Sequence, residues 1–183
     1  LKKIVRGLIA LILVLVLTFS GYGIYRLVSE RTQSGGGGKS IGHWIKYPAG
    51  IAVDTKNDLM WMTKDFRAVE QRQPHDWADA QEWAGKMNEK KIGGYSDWRV
   101  PSIAEYQKSY DPERVRLAFD RNNDFPVGYP RAFEDGGGYG FWSKEEVGED
   151  DSAKLFFFAG GYEKIEKKNY NNPTMSVRLV RNP

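Results

Sequence analysis

The spacing of hydrophobic and polar positions changes repeatedly along this chain, and each change predicts a different element. Gly7 to Tyr25 is apolar apart from Thr18, Ser20 and its small glycines, and about 20 apolar residues suffice for a helix to cross the hydrocarbon of a bilayer. Lys2, Lys3 and Arg6 precede the run, and Tyr22 and Tyr25 stand near its far end, where aromatic rings favour the interface. The pattern predicts an uncleaved signal anchor over residues 1–28, a single transmembrane helix with its N-terminus in the cytoplasm and the remainder outside. A cleaved secretory signal is the alternative, with Gly21-Tyr22-Gly23 as its small-residue cleavage site. Residues 29–40 contain Gly35 to Gly38 and no apolar period, which predicts a flexible linker. A head domain then occupies 41–183.

Within the head, residues 43–48 and 51–54 read as short extended pieces around a Pro48-Ala49-Gly50 turn, and Leu59 to Met62 as a hydrophobic strand after a turn-rich stretch. A helical period follows Pro74, with Trp77, Ala80, Gln81, Ala84, Met87 and Asn88 on one side. Asp76 or Asp79 suits its start, Lys86, Lys90 and Lys91 its end, and Gly93 its stop. Residues 112–119 predict part of a second helix, and 120–140 a long irregular region. Strands are predicted at 139–143 and 153–158. The run Ser176 to Arg181 alternates as a closing strand, with Val177 and Leu179 inward and Arg178 on the opposite side. The order of elements predicts an α+β fold with an antiparallel sheet and one or two short helices.

The chain is organised around residues 93–106. Gly93 and Gly94 permit a tight turn, and Pro101 fixes its own φ and pushes Val100 into an extended conformation. Ser102 and Glu105 have the spacing of a capping box for a short helix ending before Pro112. Between turn and cap, Asp97 is expected to tie down turn N–H groups, Trp98 to fill the core and Arg99 to fork onto a carboxylate.

Composition narrows the chemistry. The sequence has no cysteine and only His43 and His75, so thiol chemistry, disulfides and histidine-rich metal centres are excluded. Its net charge of +3 is unevenly placed: residues 1–39 hold six basic side chains against Glu30, and the 21 basic and 23 acidic side chains that remain give the rest −2. A head so balanced carries no electrostatic footprint for nucleic acid. Asp120, Asn122 and Asp124 alternate as in a calcium loop, yet no glycine follows at the sixth position and Arg131 stands where the closing Glu belongs; they are weak calcium candidates beside the reading as a solvated turn. The acidic stretch Glu145, Glu146, Glu149, Asp150 and Asp151 reads first as a solvated loop. Carboxylate pairs such as Asp76 with Asp79 and Glu145 with Glu149 exist, but no nucleophile elbow, phosphate loop or metal motif accompanies them.

The blocks 54–61, 77–84, Gly93-Gly94-Tyr95-Ser96-Asp97-Trp98-Arg99-Val100-Pro101-Ser102, Phe141-Trp142-Ser143 and Val177-Arg178-Leu179-Val180-Arg181 resemble, in this order, the Lcl C-terminal domain family of bacterial extracytoplasmic proteins. The resemblance covers about residues 47–182. The run from Trp98 to Glu105 and the closing strand also resemble formylglycine-generating-enzyme-like domains, which implies a C-type-lectin-like fold in which the first and last strands pair and the long loops share one face. It marks Gly93, Gly94, Asp97, Trp98, Arg99, Pro101, Glu105, Trp142 and Arg178 as structural motif residues. Family members often carry cysteines at the positions of Ala84 and Leu179, and the absence of both here implies joint loss of one bridge. The copper-binding cysteines of formylglycine-generating enzymes are also missing, which argues against oxidase activity.

These readings lead to a non-catalytic, membrane-anchored accessory subunit. It would sit in the bacterial inner membrane with a periplasmic head packed on a larger membrane protein complex, and no cofactor is expected. The alternative is a lectin-like module for glycans or surface polymers, with Tyr139 and Trp142 beside the Gly136-Gly137-Gly138 loop as candidate ligand or partner contacts.

Overall fold

Strands β1 (Lys39–Ile41), β2 (Trp44–Tyr47), β3 (Ile51–Asp54) and β4 (Leu59–Met62) form an antiparallel meander in the computed structural model, which describes residues 37–183 except 121, 123, 149 and 150. The predicted anchor and all but the last residues of the predicted linker lie outside the described residues. Among the described residues, no helix is long and apolar enough to cross a membrane. The linker was expected to run to residue 40, but β1 begins at Lys39, which faces Lys46 across the ladder.

The meander is stitched by its turns. Asp54 is fully buried, and its carboxylate accepts from the Lys56 and Asn57 amides, 3.1 Å each, and from Asn57 Nδ2 at 2.7 Å. This fixes the turn into β4. Every residue of β3 and β4 is buried, because apolar layers cover both faces. Ile51, Val53, Met60 and Met62 enter one cluster with the helix residues Ala80, Trp83 and Met87, whereas Ala52, Leu59 and Trp61 enter a second with Tyr106, Phe133 and Phe158. A sheet covered on both faces reads in sequence as a continuous apolar run.

Among the described residues, three α-helices flank the sheets. Helix α1 (Phe66–Glu70) is capped by Asp65, whose carboxylate accepts from the Ala68 amide at 2.9 Å. Helix α2 (Trp77–Glu89) is capped by Asp76, which accepts from the Asp79 amide at 2.8 Å. Its end passes into a 3-10 turn at Ile92–Gly94, with Gly93 at φ 65° and Gly94 at φ 86°. Helix α3 (Ile103–Ser109) carries the predicted capping box of Ser102 and Glu105.

Two expectations for the second half are corrected. Residues 112–119 do not continue into a helix: Arg114 turns left-handed at φ 50°, and β5 (Arg116–Ala118) follows and pairs with β6 (Phe125–Val127) inside the stretch expected to be irregular. The Leu117 amide donates to Asp135 at 2.9 Å instead of to a preceding helical carbonyl. Strands β7 (Gly140–Val147), β8 (Ser152–Phe157) and β9 (Tyr162–Lys167) form a second antiparallel sheet, completed by β10 (Met175–Ser176) running parallel to β7.

The closing run is likewise two short strands rather than one. After β10 the chain crosses to the first sheet, where β11 (Val180–Arg181) pairs antiparallel with β4. Between them the Val177 and Leu179 carbonyls accept from the Phe66 and Met62 amides at 2.8 and 3.1 Å. The last strand therefore lies beside β4, and β1 occupies the opposite edge, so first and last strands do not pair. Arg178 points away from Val177 and Leu179 as expected, but into a second apolar layer, where it is fully buried.

The observed architecture is α+β with predominantly antiparallel sheets and few helices.

Candidate functional site

Residues 93–106 form a clamp that joins the end of α2, the start of α3 and the last strand. Trp98 is buried; its indole donates to the Ile92 carbonyl at 3.0 Å, and Asn88 brackets its backbone at 2.6 and 2.9 Å. Arg99 forks onto a carboxylate as expected, that of Glu105 at 2.9 and 2.6 Å, and its backbone exchanges hydrogen bonds with Val180 at 2.9 and 3.0 Å. Asp97 also ties the clamp to the last strand. Its carboxylate accepts from Arg181 Nε and Nη2 at 2.7 and 3.0 Å, with the Arg181 guanidinium 4.0 Å above the Tyr95 ring.

Glu105 is a strongly perturbed carboxylate. Burial alone would raise its pKa, but the Arg99 guanidinium and the Ser102 amide and hydroxyl bind the charged form and together hold it down at about 2. Asp79 is lowered for the same reasons: burial opposes its charge, and Arg72, the His75 amide and Lys86 outweigh that. Both carboxylates are committed to ion pairs and helix starts.

A second polar cluster lies inside the core. Arg178 donates to the Met62 carbonyl at 3.1 Å and closely to that of Thr63, and its guanidinium stands 4.2 Å from the Phe133 ring centre and 5.0 Å from that of Tyr129. Asp65 lies 3.8 Å from Arg178 and accepts from the Gly138 amide at 2.9 Å. Tyr129 reaches Asp65 at 3.5 Å and donates to the Gly138 carbonyl. Tyr106 receives the Arg178 amide at 3.3 Å and bridges the Trp142 and Arg178 carbonyls at 3.2 and 3.3 Å. Burial raises the pKa of both tyrosines, so they remain neutral donors. Sequence gave no cue to Asp65 or Tyr129, since capping and core roles leave the same signature in a loop.

Trp142 is fully buried and paired with Leu155 across β7 and β8. The expectation that it could contact a ligand is corrected: both sheet faces are covered at this point, so the ring is core. Tyr139 is half-buried against the Phe125 and Phe157 rings at 4.8 and 6.4 Å. The triglycine loop serves close approach: a Cβ on Gly137 would collide with the Asp65 carboxylate. Asp120, Asn122 and Asp124 lie on a loop at the surface, and among the described residues no three His, Cys, Asp or Glu side chains gather to hold a metal. Asp76 caps α2, Asp79 in its first turn accepts from the His75 amide at 3.0 Å, and Glu145 accepts from the Ile103 amide at 3.1 Å. Its suggested partner Glu149 lies outside the described residues.

The described residues also form surface concavities. One, of about 450 Å³, lies between the β1–β2 turn and the end of α3, lined by His43, Lys108, Tyr110, Asp111, Glu113 and Arg131 among others. Glu113 pairs with Arg131 at 2.8 Å on its rim. Another, of about 340 Å³, is bounded by Lys64, Arg67, Gln71, Phe119 and Asp135. There burial lowers the pKa of Arg67, whose guanidinium lies 3.5 Å over Phe119. Neither concavity was foreseen, because its polar residues come from segments far apart in sequence and none forms a local motif.

No curated protein matches the sequence. The sequence model described as the Lcl C-terminal domain matches residues 50–181, which takes in every element from β3 to β11 and both clusters of the clamp and core, and the chain belongs to that family.

Proposed function

We propose that this chain is a non-catalytic, membrane-anchored accessory subunit of the bacterial inner membrane. In this reading the N-terminus is cytoplasmic and the periplasmic head packs on a larger membrane protein complex. The observation that carries it is the outer face of the β5–β6 ribbon. Val115 and Leu117 are 43% and 40% exposed, and Leu117 stands opposite the exposed Pro126. Contiguous exposed apolar groups mark protein contacts more often than scattered ones do. The commitment of Glu105, Asp79, Asp65 and Arg178 to scaffold interactions supports a role without chemistry of its own.

A C-type-lectin-like relationship belongs to the same proposal. It is supported by the return of the last strand to the N-terminal sheet and by the long connections between α3 and β7. A second reading, a glycan or surface-polymer module, is favoured by the 450 Å³ groove, where Tyr110 and His43 stand beside Asp111 and Glu113. Ring faces and carboxylates together suit hydroxylated ligands.

Native purification of the full chain from mildly solubilised membranes tests the first reading. It predicts stoichiometric recovery with a defined complex, lost in a Leu117→Asp variant that unfolds at the same temperature as wild type. Recovery of the chain alone, with saturable glycan binding abolished by Tyr110→Ala, would replace it with the second.

A further inference from the structure

The strand β9 lies at the edge of the second sheet, with no neighbouring strand on its outer side among the described residues. Its sequence is Tyr162-Glu163-Lys164-Ile165-Glu166-Lys167, and all of it is exposed except Glu166, which is half-buried. Ile165 is 52% exposed, unusual for an isoleucine in the middle of a strand. Such an edge is a template for pairing unless its side chains prevent it.

The direction of the backbone groups follows from the neighbouring ladders. The Phe158 amide donates to the Tyr139 carbonyl at 2.8 Å, which turns alternate residues of β8 toward β7 and leaves Ala153, Leu155 and Phe157 to bond β9. The Lys168 amide donates to the Asp151 carbonyl at 2.9 Å, in the same phase. Glu166, Lys164 and Tyr162 therefore face β8, and the N–H and C=O groups of Glu163 and Ile165 point outward together with the Lys167 N–H, while the Lys167 carbonyl accepts from the Tyr170 amide at 2.8 Å.

The charges supply the partner. Read against itself antiparallel about Ile165, the segment places Ile165 opposite Ile165, Lys164 opposite Glu166 and Glu163 opposite Lys167. A two-fold centred on Lys164 would oppose two lysines. One centred between Lys164 and Ile165 would oppose Glu163 and Glu166, and one centred between Ile165 and Glu166 would oppose Lys164 and Lys167. Only the register about Ile165 pairs each charge with its opposite, and it is also the register in which the outward backbone groups of Ile165 meet their own copies. Within one copy these side chains are held by weak exposed pairs, Lys154 with Glu163 at 3.2 Å and Lys164 with Glu166, which are free to exchange across the junction.

We propose that two copies of this chain pair edge to edge through β9, in antiparallel register about Ile165, and join their second sheets into one continuous sheet. Such a junction has closed two-fold symmetry and consumes the free edge of both copies. Its area lies at the low end for protein contacts, so the association is reversible and concentration-dependent.

The absence of cysteine makes the register directly readable. Two differently tagged full-length chains, Lys164→Cys and Glu166→Cys, are mixed in mild detergent and oxidised briefly. In the proposed register their Cα atoms stand about 4.5 Å apart as a non-hydrogen-bonded pair, inside disulfide range, whereas either cysteine lies about 7–8 Å or more from its own copy. The mixed disulfide should exceed both self-linked products about tenfold. Lys164→Glu should lower crosslinking of an Ile165→Cys chain about tenfold by opposing Glu166, and Lys164→Glu with Glu166→Lys should restore it. Equal yields in mixed and self pairs, or indifference to the charge reversal, would overturn the register. Absence of any disulfide while Ile165→Cys is shielded from alkylation in native membranes would overturn the second copy as occupant and assign the edge to another strand.

Discussion

Replacing Glu105 by Gln isolates the ionic part of the clamp, because Gln at this position keeps the capping box while the charge is lost. The Glu105 side chain is 15% exposed and that of Arg99 37%. The carboxyl is held at about 2, against 4.5 for a free glutamate. At about 1.4 kcal/mol per pKa unit, that depression corresponds to at most about 3–4 kcal/mol, and solvent screening at the partly exposed Arg99 brings it to about 1–2 kcal/mol. Because the folded-state pKa lies below the unfolded one, this contribution is fully present above pH 4.5 and is lost as the pH falls toward 2. Urea unfolding of wild type and Glu105→Gln at pH 7 should differ by about 1–2 kcal/mol, and the gap should close as pH falls from 4.5 toward 2. A gap unchanged across that window would show that Glu105 acts by shape and hydrogen bonding alone, and would refute the ionic account.

Elsewhere in the same block, Asp97→Asn should cost at most about 1 kcal/mol in the same titration, because its carboxylate is 61% exposed although doubly bonded to Arg181. Arg178→Met should cost about 3–5 kcal/mol, since it strips donors from the Met62 and Thr63 carbonyls and leaves Asp65 without its cation. Adding Asp65→Asn should cost less than its effect alone, and strict additivity in a double-mutant cycle would contradict the pairing. Trp142→Ala should lower stability by about 3–5 kcal/mol in the same titration as a core truncation. Tyr139→Ala should cost about 1–2 kcal/mol through its contacts with Phe125 and Phe157.

Much of the fold was legible where local signals and tertiary packing agree. The start of α2 at Asp76, the capping box of α3 and the Asp54 turn each rest on a few neighbouring residues, and such motifs act through adjacent backbone groups. The helical period of α2 marked most of its inner face: Ala80 and Met87 enter the core and Trp77 and Ala84 pack against it. Trp83 joins them with its indole bonded to Glu70 at 2.9 Å, and Gln81 and Asn88 reach out to Ser143 and Trp98. Periodicity failed where both sides of an element are buried. The closing run alternates in sequence, yet Arg178 is as buried as its neighbours, because Phe133, Phe141 and Tyr129 form a second apolar wall. The short α1 and the ribbon β5–β6 escaped because Asp65, Asp135 and Ser176, residues remote in sequence or outside any motif, complete their hydrogen bonds. Ala84 and Leu179, the positions at which the resemblance implied cysteines, pack in or against one apolar cluster. The surface grooves were invisible for a related reason: Glu113 and Arg131 become neighbours only through the fold.

The central claim, that the head packs on a larger complex through the β5–β6 ribbon, is tested most directly by a photo-crosslinking residue placed at Leu117 in the full chain within native membranes. Lys56, exposed in the β3–β4 turn, serves as the control position. The account predicts one discrete adduct from position 117, with the same protein that co-purifies stoichiometrically, and none from position 56. No adduct at 117, or the same mixture from both positions, would contradict it.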